Sequence, residues 1–162
     1  MTEIIPVTPQ EAPRLSKVAS AVVKEHFDPL IGPEQNDYMI ARFQSVDAIR
    51  RQLADGYRYH WVLEDGETAG FMAFFPRDGK MYLSKFYILR DFRGRHLAKK
   101  MWEFLLQETR KEGLTHIFLN VNKGNTDVIA IYEHLGLRVV RAEKNDIGSG
   151  FYMDDYVMEC PV

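Results

Sequence analysis

The chain has 162 residues, of which 46% are hydrophobic and 27% charged, with a formal net charge of -2 at pH 7; that suits one soluble domain over 1–162 with a real core and gives no reason to expect nucleic acid as a partner. Cys160 is the only cysteine, which excludes an internal disulfide and a Cys-rich zinc site and suits a reducing compartment, with no metal expected. The opening MTEIIPVTPQEAP has no basic and apolar leader pattern, and no apolar run approaches a membrane span, so the expected location is the cytoplasm, without membrane attachment.

Residues 3–7 predict a short strand, after which Thr8-Pro9-Gln10-Glu11 offers an N-cap, a proline at the first helical position and a glutamate two residues later, opening a helix to about Phe27. HFDPLIGPEQNDYMI, with two prolines and a glycine, predicts a loop whose aromatic and amide side chains suit a functional role. Ser45 caps a further helix that Gly56 ends. YRYHWVLE, TAGFMAFFP and MYLSKFYIL, separated by Asp65-Gly66 and Arg77-Asp78-Gly79, predict an antiparallel three-stranded meander. After RGRHLA, residues 93–98, the apolar Leu97, Met101, Trp102, Leu105 and Leu106 recur at helical spacing until Gly113. Strand HIFLNVN, 116–122, follows; a strand, a helix and a strand make a right-handed crossover, so 81–89 and 116–122 are expected to be parallel neighbours. A helix over 126–135 ends at Gly136, and two last strands fall near 137–142 and 151–159. The fold class is mixed α+β.

RGRHLA stands where a strand turns into a helix. A helix start carries unpaired backbone N–H groups and partial positive charge, and Arg93, Arg95, Lys99 and Lys100 strengthen that preference for an anion. Alone, the same residues read equally as a solvated basic turn. A P-loop would need Gly-Lys-Ser/Thr, and a dinucleotide fold would need G-x-G-x-x-G after its first strand; neither is present. The span from Phe86 to Leu106 resembles motif A of the GCN5-related N-acetyltransferases, whose loop reads Arg/Gln-x-x-Gly-x-Gly/Ala. Arg93 and Ala98 match and Gly94 keeps the common Arg-Gly opening, while His96 stands at the inner glycine. A second segment, NTDVIAIYEHLGL at 125–137, resembles that family's Asn-x-x-Ala-x-x-x-Tyr-x-x-x-Gly-Phe. Asn125, Tyr132 and Gly136 match, with Val128 and Leu137 as apolar replacements. Two motifs in the right order and spacing are far more specific than either one.

The resemblance implies a family fold: a central, mostly antiparallel sheet with one parallel pair splayed apart, flanked by about four helices. It implies that backbone N–H groups of Arg93, Gly94, Arg95, His96, Leu97 and Ala98 cradle the diphosphate of coenzyme A, with His96 weakening that grip. Phe86, Tyr87 and Ile88 would lie along the pantetheine arm, Phe86 and Ile88 as backbone partners, and Asn125 would touch the coenzyme. Tyr132 would protonate the leaving thiolate of acetyl-CoA after direct amine attack. A phenol near ~10 giving its proton to a thiolate near ~8.5 faces a step of about 2 kcal/mol. Each has a plain structural alternative: core packing for the strand residues and Tyr132, and an N-cap or turn for Asn125.

The general base stays open. Many members of the family place a glutamate on the strand that here reads MYLSKFYIL, where this chain has Ser84 and Lys85. Asp154, Asp155, His60 and Asp78 are candidates, and alternation along a strand lets only one of Asp154 and Asp155 face a given site. For the acceptor, Asn36 and Tyr38 in the predicted loop, together with Asp154 and Asp155, suit a cationic amine, either a small molecule or a peptide amine. The rival is a non-catalytic acyl-CoA-binding regulatory domain of the same fold, and the C-terminal edge strands offer a surface for pairing into a homodimer.

Overall fold

At Asp65-Gly66 and again at Asp78-Gly79 both residues take positive φ, 50° and 82° in the first turn and 53° and 76° in the second. That left-handed pair closes a two-residue hairpin whose twist matches its strands. The turns join β2 (Arg58–Glu64) to β3 (Glu67–Arg77) and β3 to β4 (Lys80–Ile88). With β1 (Thr2–Pro6), β5 (His116–Asn122), β6 (Arg138–Gly148) and β7 (Phe151–Pro161) they form a seven-stranded sheet of order β1-β2-β3-β4-β5-β7-β6. The computed structural model describes residues 1–162. The expected parallel pair forms between β4 and β5, where Met81 opposes Ile117 and Tyr82 opposes Phe118.

Five helices accompany the sheet rather than about four: α1 (Ala12–Ile31), α2 (Pro33–Phe43), α3 (Val46–Ala54), α4 (Leu97–Lys111) and α5 (Thr126–His134). None is long and apolar enough to cross a membrane. The extra helix corrects the expected loop. α1 runs through Pro29 to Ile31, Gly32 turns the chain at φ 86°, and Pro33 starts α2. An interior proline costs a helix roughly 3 kcal/mol, and here side chains tie the two helices together. The Asn36 amide donates to the Val23 carbonyl at 3.1 Å and to Asp28 at 2.8 Å, and Lys24 bridges Asp28 and Asp37 at 3.0 Å each. At the C-terminus the strand expected over 137–142 extends to Gly148, and its partner reaches Pro161.

By contacts the chain falls into two compact units, Met1–Ala73 with Lys85–Leu97 and Phe74–Ser84 with Ala98–Val162. The first has a core of Val7, Ala12, Leu15, Ala19, Ile49, Tyr59, Trp61, Phe71 and Ala73, with Tyr87 packed against it. Each large apolar side chain buried there contributes about 1.5–3 kcal/mol. Glu11 fastens the entry to α1 by accepting from the Thr8 backbone N–H at 2.9 Å and from the Trp61 indole at 3.1 Å. Gly70 is required, since a Cβ there would lie 2.3 Å from the Tyr87 carbonyl oxygen. In the second unit β5 alternates: Ile117, Leu119 and Val121 are buried, while Phe118, Asn120 and Asn122 are half-buried on the other face. Phe74 packs edge-on against Phe104 of α4 at 6.3 Å. The edge strand β6 is mostly exposed and broken by irregularities between Val139 and Arg141 and between Asp146 and Gly148. Cys160 is buried as a free thiol, and burial raises its pKa.

Candidate active site

The segment leading into α4 is shaped by its backbone. After β4 the chain makes a short 3-10 turn, Arg90–Phe92, continues extended through Arg93 at φ -71° and ψ 153°, and takes positive φ at Gly94 (78°) and His96 (62°) before α4 begins at Leu97. The position that is glycine in the family pattern therefore needs the left-handed conformation, which costs a residue with a Cβ about 1–2 kcal/mol. Two arginines hold the loop locally: Arg93 Nε donates to the Ile88 carbonyl at 3.1 Å, and the Arg95 guanidinium lies 5.2 Å over the Phe92 ring. The first backbone N–H groups of α4, from Leu97 on, have no acceptor within the helix. Its first turn carries no acid, whereas α2, α3 and α5 carry Glu34, Asp47 and Asp127 in theirs. The positive end of α4 is thus not offset by a carboxylate of its own first turn, and Lys99 and Lys100 add to it.

α5 places Asn125 and Tyr132. Asn125 is 7% exposed at the head of the helix and its side chain makes no capping hydrogen bond, so capping is not the role of its amide. Tyr132 is 8% exposed. Its carbonyl accepts from the Leu137 N–H at 3.0 Å where Gly136, at φ 107°, ends the helix.

Alternation separates the two aspartates as expected. Asp154 is half-exposed and paired with Lys123 at 3.0 Å. Asp155 is 2% exposed and lies opposite Asn122 on β5 and Glu143 on β6. Burial pushes its carboxyl up to about 6, with Asp154 and Glu143 pushing the same way, against a hydrogen bond from the Asn120 amide and the charge of Lys123. Its Oδ2 has no hydrogen-bond partner. Glu143 is held low, chiefly by Arg141, whose Nε donates to it at 2.9 Å. Of the acceptor candidates on α2, Asn36 is fully buried with its amide N–H groups committed to α1, leaving only its Oδ1 without a partner. Tyr38 accepts a hydrogen bond from Arg42 at 3.3 Å. Phe86, Tyr87, Ile88 and the loop to Leu97 belong with Asn36 and Tyr38 to the first unit, and Ala98, Asn125, Tyr132, Asp154 and Asp155 to the second.

Lys85 is a residue whose environment the sequence did not disclose. It is 6% exposed, and its ammonium donates to the Phe43 carbonyl at 3.1 Å, Gln44 Oε1 at 2.7 Å, Gln52 Oε1 at 3.3 Å and the Tyr59 hydroxyl. Burial pushes Lys85 down to about 7 and the Tyr59 phenol well above its ordinary value, so Tyr59 stays protonated and donates to Gln52. The available signal was a lysine between Leu83 and Tyr87 on a strand face that is otherwise apolar.

The sequence profile of the Acetyltransferase (GNAT) family matches residues 20–137. An uncharacterized N-acetyltransferase, YjgM, of Escherichia coli (strain K12) is 27% identical over 135 residues, which is 80% of this chain and 78% of that protein. Among solved structures, PaiA N-acetyltransferase from Thermoplasma acidophilum, in complex with coenzyme A, superposes with a TM-score of 0.81 at 18% identity over 100% of this chain and 99% of its own. The ribosomal-protein-S18-alanine N-acetyltransferase from Escherichia coli gives 0.71 at 18% identity, over 100% of this chain and 94% of its own.

Proposed function

The chain belongs to the acetyltransferase (GNAT) family, and from that premise we propose that residues 1–162 form a single cytoplasmic catalytic domain that moves the acetyl group of acetyl-CoA to a primary amine, on a small molecule or a peptide, by direct attack. The observation that carries this reading is the head of α4, where two positive-φ residues turn the chain into a helix whose first turn bears lysines and no acid. Backbone N–H groups of Gly94, Arg95, His96, Leu97 and Ala98 hold the diphosphate there, while the Arg93 N–H, expected among them, already donates to the Arg90 carbonyl at 3.3 Å; free helix N–H groups together with the helix dipole fit a dianionic group better than a neutral one. The parallel ladder supports the same reading: the registered pairs of β4 and β5 end at Tyr82 and Phe118, while both strands run on. Strand groups past those pairs, at Phe86, Tyr87 and Ile88, are the ones assigned to the pantetheine arm, and an amide N–H near Phe86 would stabilise charge developing on the thioester oxygen. Asn125 contributes a buried amide to the coenzyme.

Acetyl-CoA supplies the acyl group as a thioester. Tyr132 holds the proton that the departing sulfur takes. A tyrosine buried to 8% exposure gives its proton in a site shielded from bulk water, where general acid catalysis contributes about 10²–10⁴-fold. The test is release of free thiol from acetyl-CoA with a panel of amines. Tyr132→Phe should lower kcat by that factor while leaving coenzyme A binding unchanged. The rival, a regulatory acyl-CoA-binding domain, draws on Lys85 standing on the strand where many members carry an acid. It is the correct reading if coenzyme A binds and no amine yields thiol above the level of the Tyr132→Phe variant.

A further inference from the structure

One sheet face of the second unit carries a row of side chains that the coenzyme reading does not use. Residues directly opposed in neighbouring strands share a face. Tyr82 opposes Phe118, Phe118 opposes Glu159, Asn122 opposes Asp155 and Glu143 opposes Asp155, so all of these, with Asn120, look to the same side. Three half-buried rings form a floor: Phe75 to Tyr82 at 5.3 Å between centroids and Tyr82 to Phe118 at 4.9 Å. Phe118 is also in the wall of a cavity of about 290 Å³ completed by Arg77, Asp78, Lys80, Arg141, Val157 and Glu159, a volume at the small-molecule end of ligand sites.

The ring row ends in a polar chain with one gap. The Tyr82 hydroxyl donates to Asn120 Oδ1 at 3.2 Å, which fixes the Asn120 amide so that its N–H groups point to Glu143 Oε2, at 3.3 Å, and to the Asp155 carboxylate. Every member of this chain has its partner except the acceptor atom Oδ2 of Asp155, a residue only 2% exposed. A buried carboxylate oxygen without a donor costs about 1–3 kcal/mol or more, and the natural donor for it is an ammonium brought by a ligand. Asn120 and Asn122 lie on the part of β5 beyond its last registered pair with β4, the stretch that the acetyltransferase reading assigns to the thioester.

We infer that Asp155 accepts the proton from the ammonium of the acceptor, a primary amine whose apolar body lies on the Phe75, Tyr82 and Phe118 rings. The inference rests on the acetyltransferase reading. R–NH3⁺ passes one proton to the Asp155 carboxylate, leaving R–NH2 and a carboxylic acid. The nitrogen lone pair then forms the N–C bond, the C–S bond breaks, the thiolate takes the Tyr132 phenol proton, and the second proton lost by the nitrogen restores that phenol through solvent. Asp155 returns its proton to solvent, so one amide, one thiol and one free proton result. The neighbouring carboxylates are less suited. Glu143 is held low by Arg141, Asn120 and Asn145, and Asp154 is paired outward with Lys123. Two acids on neighbouring strands with proton affinities displaced in opposite directions is the pattern that marks an acid–base assignment. The charged and titratable groups around Asp155 are Glu143 and, through it, Arg141 on β6, Lys123 after β5, Asp154 on its own strand, and Tyr82 on β4 through Asn120.

The experiment compares the full chain with Asp155→Asn and Asn120→Ala, using phenethylamine and O-benzylhydroxylamine, an amine already neutral at pH 7, as acceptors. With phenethylamine, the wild-type kcat/KM should rise through a pH near 6 to a plateau. Asp155→Asn should lose roughly 10²–10⁴-fold at neutral pH and climb without a plateau, as the free-amine fraction grows. The loss should shrink below about tenfold with O-benzylhydroxylamine, which needs no base. Asn120→Ala should move the wild-type rise to higher pH, since it removes a donor that favours the charged carboxylate; that shift decides the matter if Asp155→Asn does not fold. Retention of the acidic rise and of the rate by Asp155→Asn, equal losses with both acceptors, an unmoved rise in Asn120→Ala, or no wild-type turnover of phenethylamine would each overturn the inference. Calorimetric binding of coenzyme A is measured on the same samples. Failure of the wild type to bind it, or normal binding with no thiol released by either acceptor, would defeat the acetyltransferase reading itself, whereas normal binding and turnover with any of the other outcomes defeats only the role of Asp155.

Discussion

Replacing Lys85 by Met exchanges a buried ammonium for an apolar side chain of similar length, and the effect on folding depends on pH in a direction that can be worked out. Burial pushes Lys85 down to about 7 in the folded chain from an ordinary 10.5, which the unfolded chain recovers. Below the folded value both states are protonated, and the folded state bears the whole cost of the buried charge. Between about 7 and 10.5 the unfolded state binds more protons than the folded one, so wild-type stability rises with pH by up to about 1.36 kcal/mol per unit. With the group half-titrated at pH 7, the rise from pH 7 to pH 9 comes to about 2 kcal/mol. Lys85→Met has no such group, and titrations elsewhere in the chain cancel in the comparison. Urea unfolding at pH 7, 8 and 9 should therefore show the stability of the wild type minus that of Lys85→Met increasing by about 2 kcal/mol. At pH 9 the wild type should be the more stable, because the variant deprives the Phe43 carbonyl and Gln44 Oε1 of the donor they now share, at about 1–3 kcal/mol for each acceptor left unpaired. A difference that stays level across the three pH values would mean that the surrounding oxygens hold the proton as firmly as water does, and would refute the reasoning.

Two further substitutions read the loop and the sheet. His96→Gly removes a strain of about 1–2 kcal/mol at φ 62° and adds about 0.5–1 kcal/mol of unfolded-chain entropy; thermal unfolding should show a gain of up to about 1 kcal/mol, and calorimetry tighter coenzyme A binding. Gly70→Ala drives a Cβ to within 2.3 Å of the Tyr87 carbonyl oxygen, backbone that cannot yield as a side-chain tip can, and should cost about 1–3 kcal/mol in urea unfolding.

Much of the fold was legible because its determinants are local. Asp-Gly at 65–66 and 78–79 demands left-handed backbone, which fixes hairpins whatever lies across the sheet. The apolar spacing of α4 and its stop at Gly113 sufficed for that helix. Residues 26–40 misled for the converse reason. Pro29, Gly32 and Pro33 are local breakers, yet α1 and α2 persist through ties from Asn36 to Val23 and from Lys24 to Asp37, contacts between residues 13 apart. β6 runs past the expected end near 142 to Gly148 as an exposed edge held by its ladder with β7.

The same division runs through the candidate site. The turn at 93–98 into α4 was legible from consecutive residues because backbone conformation follows from near neighbours, whereas reading it as an anion site drew on the second segment at 125–137. The choice between Asp154 and Asp155 could not be made that way. Alternation places them on opposite faces, but which face is dry depends on Asn122 and Glu143 across two ladders and on Asn120, which Tyr82 orients from a third strand. Lys85 is the same case in the first unit, its proton affinity set by oxygens from residues 43, 44, 52 and 59. Proton affinity depends on which groups surround an atom in space, so the acid and base of a reaction emerge only once distant segments are assembled. A homologous chain that kept RGRHLA but replaced Asn120 by an apolar residue would, by this logic, still bind coenzyme A and would run its acceptor chemistry at a different pH.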